Sequence, residues 1–130
     1  MRTLIKGLIL ALSTSFIVAC GGGGPVGAAL DHEIAMLKIV EANKTDAAKA
    51  TTELEGYIKT HEADLKVVKE GMDKLKAEAK DDMSKVADII KANAGKMKEV
   101  EDLKNKLREE AKDVYADEKV RDLLRSVRAM

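Results

Sequence analysis

The stretch ALDHEIAMLKIVEANKTD, Ala29 to Asp46, decides the fold class. Leu30, Ile34 and Leu37 fall at spacings of four and three, the repeat of one helix face. Met36, Ile39 and Val40 widen that stripe beyond a narrow seam, so the helix needs neighbours on two sides. The spacing predicts a helix from Ala28 to Ala42, with Asp31 and Glu33 in its first turns, where the helix dipole favours anions. NKTD then offers a stop and a restart. Asn43 suits the left-handed position that ends a helix, and Thr45 or Asp46 suits the cap of the next one. So short a connection makes the next helix an antiparallel neighbour.

The second segment runs from Ala47 to about Ala79. Ala47, Ala50, Leu54 and Tyr57 form one apolar series. Ile58, Leu65, Met72 and Ala79, with Val68 and Leu75, form a heptad seam displaced from it by one residue. His61 takes the remaining seam position. The slip between Tyr57 and His61 predicts a kink or break, and Gly56 lowers helix propensity beside it. The pairs Glu55–Lys59, Glu62–Lys66 and Glu70–Lys74 mark a solvated face.

KDDMS, Lys80 to Ser84, is the best internal boundary, because Asp81 or Asp82 can cap a new helix. Continuing the heptad past it would bury Asp82, Lys96 and Glu110, which a strict coil does not tolerate. Beyond it the stripe is broader and includes Met83, Ile90, Val100, Leu107 and Val114, with Gly95 a point where the helix could bend. Asp117 caps a closing helix with Val120, Leu123, Leu124 and Val127 on one face, expected to pack on the bundle. Arg125 and Arg128 complement the dipole at its end. The expected fold is all-α: a small antiparallel helical bundle over residues 28–130 with coiled-coil-like heptads.

Composition agrees. Aromatics are 2% of the chain, so the core must be built from Leu, Ile, Val, Met and Ala, the make-up of helices packed on helices. The 23 basic and 23 acidic residues balance, which gives no case for nucleic acid or acidic lipid as a partner.

The N-terminus has a different anatomy. Arg2 and Lys6 precede an uncharged apolar run from Gly7 to Ala19, the pattern of a secretory signal and short for a membrane span of about 20 residues. The chain's single cysteine, Cys20, stands where that run ends. Ile17-Val18-Ala19-Cys20 resembles the lipobox of bacterial lipoproteins. The resemblance implies cleavage before Cys20, acyl chains on its thiol and new amino group, and hence a permanent lipid anchor. Gly21, beside the cysteine, lacks the acidic character that resembles an inner-membrane retention signal, so the resemblance implies the outer membrane, facing the periplasm. On this reading residues 1–19 are a signal peptide, and residues 20–27, glycine-rich, are a flexible tether.

Few residues offer chemistry. HEADL, His61 to Leu65, begins like the zinc-protease motif, but Leu65 stands where the second histidine is required. His32, His61 and Asp64 are the only metal-ligand candidates, and no third and fourth ligand for His61 and Asp64 is evident. His32 and Met36 lie one turn apart, as haem ligands can, though a methionine in an apolar stripe belongs more often to a core. No catalytic residue is identified and no cofactor is expected. The reading is a non-enzymatic, membrane-anchored periplasmic lipoprotein, a helical scaffold or partner-binding module, with a monomer favoured and a protein partner expected. The alternatives are an elongated coiled-coil oligomer of the envelope, resembling the murein lipoprotein family, and a metal- or haem-binding bundle. Two features depart from the murein family: the seam is not sustained through Asp82 and Lys96, and the sequence closes on Arg128-Ala129-Met130 rather than lysine.

Overall fold

Ile39, Met36, Val40, Leu37, Leu30 and Ile34 follow one another around about three-fifths of a helix circumference at 3.6 residues per turn. No single neighbour can cover so wide an arc, and the structure surrounds it. The computed structural model describes residues 24–129. These form α1 (Gly24–Ala42), α2 (Ala47–Thr60), α3 (Glu62–Ala79), α4 (Met83–Glu110), α5 (Lys112–Ala116) and α6 (Glu118–Ala129). The expected all-α bundle is the fold, and no strand occurs among the described residues. Helix α1 is its axis, touching α2, α3, α4 and α6. Met36, Leu37 and Val40 are at most 1% exposed and meet Leu54, Val100, Leu107, Val114 and Val120 in one core.

Direction follows from the cross-helix contacts. Asn43 meets Glu53, His32 meets Tyr57 and Pro25 meets Gly71, so α2 and α3 run antiparallel to α1. Asp31 pairs with Lys96 at 2.8 Å and Glu41 pairs with Lys106, so α4 runs parallel to α1. Lys104 and Glu33, 2.7 Å apart with side chains only 20% and 17% exposed, and Lys38 with Glu99 at 3.5 Å, complete this border. Exposed ion pairs contribute little stability. Here they set one helix's position along the other.

The breaks have local causes. Asp46 caps α2, its carboxylate accepting from the Lys49 N–H at 3.0 Å. Asp82 caps α4 through the Ser84 N–H, and Asp117 caps α6 through the Val120 N–H at 3.1 Å. The phase slip is a one-residue interruption at His61, whose φ of −104° and ψ of 17° leave helical geometry. A similar interruption at Ala111 separates α4 from α5, so the segment 82–115 is broken there.

Four expectations need correction. Helix α1 begins at Gly24, inside the predicted tether, because Pro25 suits a first turn and its ring packs on α3. Asp31 and Glu33 therefore lie beyond the first turn and serve as ion-pair partners of α4. Asn43 is not left-handed: no residue other than glycine has a positive φ among the described residues. It is buried instead, donating from Nδ2 to the Ile39 carbonyl at 2.9 Å and to Glu53 Oε2 at 2.6 Å. Gly95 does not interrupt α4, which is continuous through it. The predicted signal, the Ile17–Cys20 motif and the remainder of the tether lie outside the described residues.

The heptad seam is only partly core. Leu65 is 2% exposed, whereas Val68, Met72 and Leu75 are half-buried. The reason is length: α1 starts opposite Gly71, so α3 and the first turns of α4 extend past it. Met83, at 76% exposure, lies on that extension, and Ile90, at 51%, lies level with the first turn of α1.

Two comparisons follow, each read by urea unfolding followed by circular dichroism. Leu65→Ala should cost about 2–5 kcal/mol, and Leu75→Ala about half of that or less. Gly56→Ala, with open space around the new methyl, should gain up to about 1 kcal/mol from helix propensity. Gly71→Ala would place its Cβ 2.7 Å from the Pro25 ring and should fall about 1–3 kcal/mol below Gly56→Ala.

Candidate functional site

The residues with chemical character converge where α2 gives way to α3. Once the helix breaks at His61, its backbone N–H and its ring both reach the Tyr57 carbonyl oxygen. The distances are 3.0 Å from the backbone nitrogen and 2.8 Å from Nδ1. A carbonyl only accepts, so Nδ1 of His61 carries the proton. The His61 ring stacks on the Tyr57 ring, with centroids 4.1 Å apart. From α1, His32 completes the group: its Nδ1 lies 2.6 Å from the Tyr57 hydroxyl, and its ring stands edge-on to His61 at 5.6 Å.

Burial governs the electrostatics. It pushes the His32 imidazole below its ordinary pKa. His61 adds to the shift, and Asp64 and Asp31 oppose it. Burial, then Asp64 and Asp31, push the Tyr57 hydroxyl up to about 12. The tyrosine is thus held protonated and cannot serve as a base near neutrality.

His32, His61 and Asp64 were the metal candidates from sequence. The fold brings the two imidazoles together and sets Asp64 close enough to influence His32. Among the described residues, however, no group of three or more His, Cys, Asp or Glu side chains is arranged to hold a metal ion. Met36 is 1% exposed within the core, while His32 turns to Tyr57 and His61, so the two are drawn to different surroundings. Tyr57 is the member that no sequence pattern marks as part of a site. Its spacing of four from His61 was visible, but nothing local shows that His32 packs across both rings.

The second feature is an apolar groove of about 220 Å³ between α1, α3 and α6. Leu30, Met36 and Leu65 line it from within. Val68 and Met72 contribute from α3, and Leu124 and Val127 from α6. Val26 and Ala29 place it beside the first turns of α1. Its polar members are Glu33, paired with Lys104, and the exposed Lys69 and Lys76. The groove arises because α6 closes over α1 and α2 while α3 diverges from it; no contact of note joins α3 to α6. Among the described residues no helix is long and apolar enough to cross a membrane.

No protein-family model, curated protein or solved structure matches the chain.

The imidazole cluster predicts a pH dependence. An unfolded histidine takes up its proton near pH 6.5, and folded His32 does so at lower pH. Between those values the unfolded chain binds more protons. The contribution of neutral His32 should be complete above about pH 6.5, decline as the pH falls through the folded pKa, and level off below it. Thermal midpoints from pH 8 to pH 5 should show this decline, and His32→Gln should flatten it.

Proposed function

We propose that the chain is a non-enzymatic binding module of the bacterial cell envelope, anchored through Cys20 and presenting the groove between α1, α3 and α6. The groove carries the reading. It is the apolar concavity where the bundle leaves a core-like surface open, and its apolar lining with few polar groups is the composition of a binding site. Its position supports the same reading. Val26 and Ala29 line it, so it lies beside the first described turns of α1, the part of the bundle nearest in sequence to Cys20.

The lipobox-like Ile17-Val18-Ala19-Cys20 after an uncharged run supports the anchor, by resemblance to bacterial lipoproteins. Outer-membrane placement, facing the periplasm, belongs to the same proposal and rests on Gly21 following the cysteine. The fold-back at Lys80–Asp82 supports a bundle over an elongated coiled-coil oligomer: α3 ends at Ala79, and Asp82 starts a new helix in the opposite direction. The histidine cluster is best read as structural, because Nδ1 of His32 is held by the Tyr57 hydroxyl and Nδ1 of His61 by the Tyr57 carbonyl at the break.

The anchor is tested by expressing the full chain and Cys20→Ser in a two-membrane bacterium and fractionating with detergent. The wild type should partition with membranes and incorporate labelled palmitate. Cys20→Ser should incorporate none and, if the signal is removed, appear in the soluble fraction. Label-free wild type would overturn the anchor.

A further inference from the structure

The groove has two sets of properties that together specify an occupant. Its inner surface is apolar and adaptable. Leu30, Leu65 and Val68 are joined there by Met36 and Met72, whose unbranched side chains repack around irregular shapes. Its rim is cationic. Lys69 and Lys76 stand two turns apart on α3, both exposed and neither ion-paired among the described residues, while the Glu33 carboxylate is answered by Lys104. The site therefore offers apolar burial at one level and two exposed ammonium groups at its edge.

Size narrows the choice. A helix with its side chains is about 10–12 Å across and would lie over a groove of this kind rather than in it. The volume of about 220 Å³ is below the roughly 300–1,000 Å³ of a typical small-molecule pocket. An unbranched alkyl chain is the slimmest apolar group that can enter it; the groove takes one segment of such a chain, and each methylene removed from water there contributes about 0.8 kcal/mol. The charged rim then selects the head group: a carboxylate accepts hydrogen bonds from lysine ammonium groups, and such charge-assisted bonds are the stronger kind.

We propose that the groove between α1, α3 and α6 binds one long-chain fatty-acid anion, a segment of its alkyl chain along Leu30, Val68 and Met72 and its carboxylate at Lys69 or Lys76. This deepens the binding-module reading and rests on it. It needs no covalent step, only exchange of the amphiphile between the groove and a neighbouring lipid phase.

The test uses the full chain in phosphatidylcholine vesicles, photolabelled with palmitate carrying a diazirine at the end of its chain. Labelling should saturate, be displaced by unlabelled palmitate, and map to the groove segments of α1, α3 and α6. The double variant Lys69→Glu/Lys76→Glu, altered only at exposed positions, should bind the palmitate probe roughly tenfold more weakly. It should bind the uncharged hexadecanol analogue as the wild type does. Val68→Trp should block both probes, with circular dichroism reporting that the helices persist. Labelling that does not saturate, or that is spread over the exposed faces of α4, would overturn the proposal. So would equal palmitate binding by the charge-reversed variant. Palmitate binding by Cys20→Ser but not by the acylated chain would overturn it in favour of the protein's own acyl chain as occupant. Membrane partitioning of the same preparations reads the anchor independently, so loss of the anchor and loss of the ligand site are distinguished.

Discussion

The burial requirement of α1 governs the rest of the molecule. Its apolar arc is wider than any one helix can cover, so the chain must return along it repeatedly. Helices α2 and α3 descend on one side, α4 runs parallel on another, and α6 closes over the space α2 leaves. Met36, Leu37 and Val40 are removed from water by side chains from four different helices. At about 1.5–3 kcal/mol for each large apolar side chain buried, this convergence outweighs any of the exposed ion pairs along α4. Those pairs have a different role. Two of them, Asp31–Lys96 and Glu41–Lys106, match α4 to α1 in parallel at the same offset along the chain.

Much of this was legible because the signals are local. The sequence offers Thr45 or Asp46, Asp81 or Asp82, and Asp117 as helix caps, and the structure uses Asp46, Asp82 and Asp117, since a cap depends on residues within one turn. The phase slip at His61 was legible for the same reason: two apolar series one residue out of step cannot share an unbroken helix face. The all-α class followed from the periodicity of nearly the whole body.

Where reading failed, the deciding contact was distant in sequence. Asn43 resembled a left-handed helix end, but Glu53 across the turn and the Ile39 carbonyl gave its side chain partners inside the bundle. Gly24 to Gly27 resembled tether, yet Gly71, with no side chain, lets the Pro25 ring settle on α3. Gly95 looked like a possible interruption, yet α4, which packs along α1, continues through it. The site was legible in its parts but not in its assembly. His32, His61 and Asp64 stood out by residue type, whereas the encounter of His32 with Tyr57 depends on how α1 lies against α2. The groove was foreseeable only as a gap between helices. Its lining comes from three helices, and its charged rim from a face that looks merely solvated in sequence.

The central position of α1 has a mechanical consequence. It is the first of the described helices, so tension on the chain ahead of Gly24 is delivered straight to the element on which α2, α3, α4 and α6 lean. Pulled along its axis, α1 would have to shear past α2, α3, α4 and α6 together rather than peel from one of them. Glu33–Lys104 and Asp31–Lys96 would be loaded at the same time as the core. A bundle suspended by its innermost rod yields late and all at once, and the contact between Pro25 and Gly71 is where that load enters.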